Sequence, residues 1–582
     1  LILLIEQDNI AIDSFIKKNI QGVTVYHVLQ SSKLLSTVNK AIVNSRGEFF
    51  SILRASVLLQ ANWLNGLLTG ISNDQSVGIV TGKIISSDGL LDQAGTFIGA
   101  DSHLHKYGKA DFPAHPKYNF IREIACTNGG NSLVCKTDFI RVGGFVESSS
   151  SLPMAFCMLS MTFRQRLGKR ILFTPQTEAI RLEYEHDENL DLSGYLCSTG
   201  KGFEAVSLEE NIHTHPLITP KAILFVDIGL PEPDKDSGSL RAYHLIKIMK
   251  ELGYHVIVVP RKGQVSSPYF EDLIKLGVQV LYAFPDLKGM IKELVVLLPS
   301  ISISWICRPQ LNKEFEWIFN FNPKIKWVFD TVDLHYVRLA REAAIVKSRK
   351  LMKKSDRFKK LELSIAHKAD VTLTVTEDEK KLLTEQGVKN VSVVPNIHEI
   401  HLLKNNTGFS ERKGLLFIGS YNHPPNVDAV RWLIQEIMPI VWETHSISVT
   451  LLGNAPSKEV IALESGLVKV TGYVKNVEPY FTSHRVFVAP LRYGAGMKGK
   501  IGQSLAYKLP VVTTKIGAEG VGLTDKVDVL LAEDKICFAE QIITVYQNEQ
   551  LWNKLSDNSE KVLKSYSPHQ IKHDLGLLLQ GL

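Results

Sequence analysis

The chain of 582 residues has six cysteines, and no two of them form a C-x-x-C pair. Cys126, Cys135, Cys157, Cys197, Cys307 and Cys537 are scattered, which argues against a disulfide framework or a zinc module and for a reduced, cytosolic compartment. No run of about 18 apolar residues occurs, so a membrane-spanning helix is not expected. The nearest candidate, residues 294–306, is broken by Pro299 and by serines. Charge of one sign is also lacking: 66 Lys and Arg face 60 Asp and Glu, a formal +6. That balance suits an anionic small ligand or a membrane surface and gives no argument for nucleic acid. There is no collagen period, heptad repeat or low-complexity tract.

What is present is ordinary globular composition, 45% hydrophobic and 22% charged, enough to build cores and to exclude disorder as the main state. The length predicts about three or four domains. The chain opens at Leu1 inside a strand-like run, Leu1–Ile5, so residues upstream are expected. Residues 1–190 alternate short apolar runs (49–53, 77–80, 171–173) with helical patterns, an α/β layer. Residues 191–220 are polar and rich in Gly and Pro, and read as a linker. From Ala222 a strand, a Pro/Asp/Gly/Ser loop, a helix over 240–252 and a strand at 256–259 open a doubly wound sheet. Strand-like runs continue at 278–281, 327–330, 371–375 and 391–394. A second set begins at 414–419 and recurs at 449–453, 468–470, 486–489 and 511–514. Two successive units of similar size predict two lobes facing a cleft, 221–408 and 409–582, with the last helix crossing back.

The segment richest in chemistry runs from Ala489 to Pro510. A strand ends near Pro490, a glycine turn spans Gly494–Gly496, and a helix begins near Lys498. Backbone N–H groups at a helix start attract anions, and Lys498 and Lys500 add two cations there. This is a sensible diphosphate cradle; the alternative is a solvated helix start with two ordinary lysines.

In this setting the region from Ala222 to about Leu523 resembles a GT-B glycosyltransferase of family 4, the retaining type that uses nucleotide sugars. The motifs are Pro233 to Ser239, Phe329-Asp330-Thr331-Val332-Asp333-Leu334-His335, Val394-Pro395-Asn396, Phe417-Ile418-Gly419 with His423 to Asn426, Val470 to Val474, the glycine cradle, and Ile516 to Gly520. Each is weak alone; their order over some three hundred residues is specific.

The resemblance implies roles. The C-terminal lobe holds the nucleotide diphosphate, with Lys498 and Lys500 at the family's basic pair. Gly238, Ser239, Gly419, Asn426, Gly494, Ala495, Gly496, Met497, Gln503 and Glu519 fall on the donor side, and Asp236, Ser237 and Asp333 on the acceptor side. His335 is a candidate for a hydrogen bond to the donor sugar or its leaving phosphate, with a buried structural histidine as the alternative. Asp330 and Asp333 have a second reading as helix caps, and Arg338 and Arg341 as phosphate contacts or partners of Glu342. The family's Glu-x7-Glu is absent: Ala495 and Gln503 stand in its place. The implied chemistry is metal-independent transfer from a nucleotide-diphosphate sugar to a glycan, lipid-linked glycan or glycoprotein. The alternatives are a non-catalytic glycan-binding scaffold or a bifunctional polymerase.

Residues 1–190 resemble a GT-A glycosyltransferase of family 2 at 44–50, 63–64, 77–95, 128–134, 142–145 and 168–175. The Asp-x-Asp that would hold a metal is missing, with Ser56 at the metal position, and 154–160 carries no acid where a base belongs. A degenerate, inactive domain is expected. His103, His105 and His115 match no trusted metal spacing, and His213 and His215 read as solvated. The basic run 347–360 reads as a solvated helix or as an amphipathic helix touching an anionic membrane, which would place the protein at the inner face of the plasma membrane.

Overall fold

A computed structural model describes residues 2–5, 24–28, 33–72, 74–183, 190–193, 221–262, 267–399 and 407–582. Most of the expected linker, with Cys197, His213 and His215, lies outside the described residues. The chain divides into two compact units, residues 1–220 with 270–300, and residues 221–269 with 301–582.

The first unit is built on a mixed seven-stranded sheet. The strands Phe49–Phe50, Ser132–Cys135, Val77–Ser86, Arg170–Arg181 and Val57–Leu59 follow one another across it. Val77–Ser86 and Arg170–Arg181 run parallel, and the other pairs in this row are antiparallel. The apolar run 49–53 forms a two-residue strand, Phe49–Phe50, at the sheet edge, with Leu53 exposed. Helix Leu152–Leu167 turns Phe156, Phe163 and Ala155 onto the sheet. The stretch 270–300, expected within the lobe 221–408, groups with this unit. Ile121 N–H donates to Ile274 O at 3.1 Å, Tyr282 OH to Ala114 O at 2.5 Å, and Phe284 packs edge-on against Phe112 and His115.

The second unit holds two wholly parallel sheets. In the N-terminal lobe the order is His255–Lys262, Ala222–Gly229, Ile301–Cys307, Lys326–Asp330, Val371–Thr374, Val391–Val393. The central strands are buried on both faces, as their Val/Ile/Phe runs predict, and Val391–Val393 is half-buried. In the C-terminal lobe it is Val468–Gly472, Val449–Leu452, Leu415–Ile418, Val486–Ala489, Val511–Thr513, Leu530–Leu531. Strand order reverses around the first strand of each lobe, and the crevice at the carboxyl ends of such strands is where ligands bind. The loops after Ala222–Gly229 and Ile301–Cys307 face those after Leu415–Ile418 and Val486–Ala489 across one cavity. The final helix Pro568–Gln580 returns to the N-terminal lobe, where Lys572 pairs with Glu251 at 2.9 Å.

Candidate functional site

The cavity between the lobes of the second unit has a volume of about 340 Å³. Segments at or just before the starts of four helices, Ser237–Glu251, His335–Ile345, Pro424–Trp432 and Gly499–Ala506, contribute to its wall. Unpaired N–H groups at helix starts favour a bound anion. Six cationic side chains line it, Lys235, Arg308, Arg338, Lys475, Lys498 and Lys500, against the carboxylates of Asp234, Asp236 and Asp333.

Each helix start is set locally. Asp236 caps Ser237–Glu251: its Oδ1 accepts from Ser239 N–H at 2.9 Å and its Oδ2 from Ser239 Oγ at 3.0 Å. The cap leaves Ser237 and Gly238 on the cavity wall, whereas Ser239 is not a lining residue. Asn426 is braced by donating to Ser420 O at 2.7 Å, and its Oδ1 accepts from Lys500 Nζ at 2.5 Å. Gly419 leaves room for that pair, since a Cβ there would stand 2.7 Å from Lys500 Nζ.

The glycine turn is pressed against the N-terminal lobe. Gly496 has φ +68°, and a Cβ on it would come within 3.1 Å of Val375 and 3.2 Å of the Asp333 Cβ. Gly499 meets Ser237 so closely that an added Cβ would lie 2.4 Å from the serine Cβ. Asn396 Nδ2 donates to Met497 O at 3.0 Å. Gly494, Ala495, Gly496, Met497 and Gln503 all line the cavity.

The lysines sit in dry surroundings. Burial, followed by the charge of Lys498, pushes the Lys500 ammonium down to about 7, and its Nζ lies 4.5 Å over the Phe417 ring. Burial also lowers Lys498, against the pull of Glu519 and Glu379. Lys498 has a countercharge in Glu519, 3.6 Å from its Nζ; a diphosphate would supply the one that Lys500 lacks among the described residues.

On the N-terminal lobe, Asp330 is a buried hub and no helix cap. It accepts from Arg241 at 2.8 Å, Trp305 Nε1 at 2.9 Å and Val332 N–H at 3.1 Å. Next to it Val332 has φ +62°, a strained state for a β-branched residue that costs of order 1–3 kcal/mol. The strain turns Val332 and Asp333 onto the cavity wall. Burial works to raise the Asp333 carboxyl, yet His335, Arg338 and Arg308 hold it below the ordinary range. Arg338 Nε donates to Asp333 at 2.8 Å, and Arg308 Nε to Asp227 at 3.0 Å.

His335 takes the second of its two readings. It is buried and absent from the cavity lining, its ring stacks on Phe358, and its Nδ1 lies 3.1 Å from Asp333 and 3.6 Å from Glu362. Glu362 Oε1 and Oε2 accept from His335 N–H at 2.9 Å and Tyr336 N–H at 3.1 Å. Glu379 accepts from Leu334 N–H at 3.0 Å. These two carboxyls cap the helix at a distance, the task that the second reading gave to Asp330 and Asp333. Burial pushes Glu362 up to about 8 and Glu379 up to about 7.

Glu519 also stands outside the lining. It forms a two-pronged pair with Arg341 at 2.7 and 2.8 Å and lies 3.6 Å from Lys498 Nζ. Arg341 therefore does not pair with Glu342, and Arg338 pairs with Asp333. Sequence reasoning missed Arg308, Glu362, Glu379 and His398. The one readable signal was Glu362, one of two acids, with Asp356, in a helix dense in Lys and Arg. His398 lines the cavity with its Nε2 buried and unpartnered among the described residues.

In the first unit, Ser56 is half-buried and its carbonyl accepts from Leu182 N–H at 2.8 Å. Residues 154–160 lie in a helix that turns Ala155, Phe156, Cys157, Leu159 and Ser160 inward. His103 and His105 both approach Asp101, and His115 approaches Glu293 at 3.6 Å, so the three imidazoles do not converge. No cluster of three His, Cys, Asp or Glu suited to a metal occurs among the described residues.

Residues 412–548 match the family model described as "Glycosyl transferases group 1". The C-terminal lobe carries a group 1 glycosyl transferase domain. Lys498, Lys500, Gln503 and Glu519 all fall inside that domain. An "Uncharacterized 44.6 kDa protein in cps region" of Klebsiella pneumoniae is 22% identical over 359 residues, 56% of this chain and 91% of that one. Among solved structures, sucrose-phosphate synthase from Thermosynechococcus elongatus matches at 12% identity over 62% of this chain and 99% of its own, with a TM-score of 0.47. Anabaena HepE in complex with UDP and glucose matches at 14% identity over 62% and 100%, with a TM-score of 0.48.

Proposed function

We propose that the second unit transfers a sugar from a nucleotide-diphosphate sugar to a glycan or glycoconjugate acceptor. The carrying observation is the cavity itself: Lys498, Lys500 and the starts of helices Ser237–Glu251, Pro424–Trp432 and Gly499–Ala506 converge on one space, whose C-terminal wall falls within the residues 412–548 that match the group 1 glycosyl transferase model. As the C1–O bond to the diphosphate breaks, negative charge grows on the leaving phosphate. Preset N–H groups and ammonium groups in a dry site stabilise that charge. Asp333, held ionised by its cationic neighbours, stands on the opposite wall, where it would orient an acceptor hydroxyl. The lysines make a metal unnecessary for this task, and we read the transfer as retaining, with the phosphate itself taking the acceptor proton.

The first unit, by this reading, is a degenerate GT-A-like domain without catalytic carboxylates. A polysaccharide acceptor agrees with the cps-region description of the Klebsiella relative. No helix among the described residues is long and apolar enough to cross a membrane. We place the enzyme on the cytoplasmic side. Peripheral membrane contact would use the basic helix Arg349–Ala366, next to which Val346 is 55% exposed and on which Met352 is 42% exposed.

The test is hydrolysis of a panel of nucleotide sugars with EDTA present, comparing wild type with the double substitution Lys498→Ala/Lys500→Ala. Release in EDTA, reduced by about a hundredfold or more in the variant, is expected. Nucleotide binding without turnover by any donor or acceptor would instead support a glycan-binding scaffold, a reading kept open by Ala495 and Gln503 on the cavity wall.

A further inference from the structure

The two lysines of the glycine loop are not in equivalent places. Lys498 Nζ donates to Ala495 O at 3.2 Å and to Gly496 O, and lies 3.6 Å from Glu519 Oε2. An ammonium has three N–H donors; two are taken by these carbonyls, and the Glu519 carboxylate stands at ion-pair distance on the same group. Glu519 is in turn held by both prongs of Arg341, whose Nη1 also donates to Gly494 O at 2.7 Å. Arg341 belongs to the N-terminal lobe, on helix His335–Ile345, while the loop and Glu519 belong to the C-terminal lobe. Lys500 has one hydrogen-bond acceptor among the described residues, Asn426 Oδ1, and the face of Phe417.

We propose that Arg341 and Glu519 are positioning residues that hold Lys498 as a staple of the loop 494–498, leaving Lys500 as the ammonium that meets the donor diphosphate. This rests on the nucleotide-sugar reading of the cavity. The physical reason lies in the loop carbonyls. Those of Gly494, Ala495 and Gly496 carry partial negative charge and would repel a diphosphate if they turned towards it. Two cations collect all three. If Lys498 swung to the phosphate, Ala495 O and Gly496 O would lose the ammonium that pairs them, and unpaired carbonyls in a dry wall are disfavoured. The bidentate Arg341–Glu519 pair crosses between lobes, so the shape of the loop is set only when the lobes are together.

Competitive labelling of the full chain with trace acetic anhydride, read peptide by peptide by mass spectrometry, tests this with pyrophosphate as the probe. At ten times its dissociation constant, pyrophosphate should protect Lys500 by about tenfold. Lys498 should label slowly and be indifferent to pyrophosphate. Glu519→Gln should speed Lys498 labelling, and Arg341→Met should do the same, with Arg341→Lys closer to wild type. In nucleotide-sugar hydrolysis, Arg341→Met should raise KM more than it lowers kcat, and Arg341→Lys should restore part of it. Protection of Lys498 equal to that of Lys500 would overturn the proposal. So would unchanged Lys498 labelling in Glu519→Gln. Protection of neither lysine would overturn the assignment of Lys500 together with the phosphate reading of the cavity, while Lys498 labelling in Glu519→Gln would still decide the staple.

Discussion

Arg241 Nη1 donates to Asp330 Oδ2 at 2.8 Å with the two side chains 2% and 0% exposed. Two further guanidinium donors converge on Val394 O, at 3.1 Å from Nε and 2.9 Å from Nη2. One buried pair therefore ties helix Ser237–Glu251, the strand end at Asp330 and the segment leading to Asn396. Three parts of the cavity wall follow directly from those elements: 236–238, 332–333 and 396–398.

Removing one partner of this pair leaves the other charge buried. Arg241→Met or Asp330→Asn should each destabilise the second unit by about 3–5 kcal/mol. The double variant Arg241→Met/Asp330→Asn should cost less than the two singles added together. Urea unfolding followed by tryptophan fluorescence measures all three, and additive costs would contradict the pair's isolation from water.

Lys500 titrates at about 7 in the ligand-free state because burial disfavours its charge. Its ordinary value is 10.5, so between pH 7 and 10.5 the unfolded chain binds the extra proton. Stability on this account rises with pH across that window. An anion beside Nζ reverses the preference, so diphosphate binding at pH 8 should take up a proton. Calorimetry in two buffers of different ionisation enthalpy should detect that uptake in wild type and not in Lys500→Met.

Glu362 titrates at about 8, raised from an ordinary 4.5 mainly by burial. A carboxyl raised on folding contributes stability that is complete below its unfolded value and is lost as pH rises through its folded value. Wild type should therefore lose stability between about pH 5 and pH 8.5 on account of this group. Glu362→Gln removes the charge and keeps an acceptor oxygen for one of the two N–H groups of His335 and Tyr336. Its denaturation midpoint should depend less on pH over the same window, and an unchanged slope would count against the assignment.

Gly499 and Ser237 bring two helix starts from opposite lobes into contact. A Cβ 2.4 Å from the Ser237 Cβ cannot be accommodated without moving one of them. Gly499→Ala should therefore raise the donor KM in the hydrolysis assay and destabilise by about 1–3 kcal/mol, despite the better helix propensity of alanine. Gly499→Ala with Ser237→Gly should recover part of both losses, and thermal unfolding with saturation kinetics would read them.

Much of the fold was legible because parallel strands buried on both faces leave an unbroken apolar signature. The runs 222–229, 415–418 and 486–489 stand where Val, Ile, Leu and Phe cluster. The helix starting at Gly499 was readable from its glycine turn and paired lysines. Edge strands were less legible: 49–50 has a neighbour on one side only, and composition does not record that. The grouping of 270–300 with the first unit rests on Tyr282, Phe284 and Glu293 meeting residues more than a hundred positions earlier. No local pattern encodes such pairings.

By itself, then, the sequence determined two parallel lobes, a glycine-rich helix start and two cations at it, because propensity, turn chemistry and spacing are local. Tertiary structure alone decided which charges are neutralised and which are left for a ligand. It set Glu362 and Glu379 under a helix start, turned His335 inward onto Phe358, and locked Glu519 between Arg341 and Lys498. Those outcomes depend on distance and burial, and an ionic group's behaviour is set by the neighbours that folding brings to it rather than by those beside it in the chain.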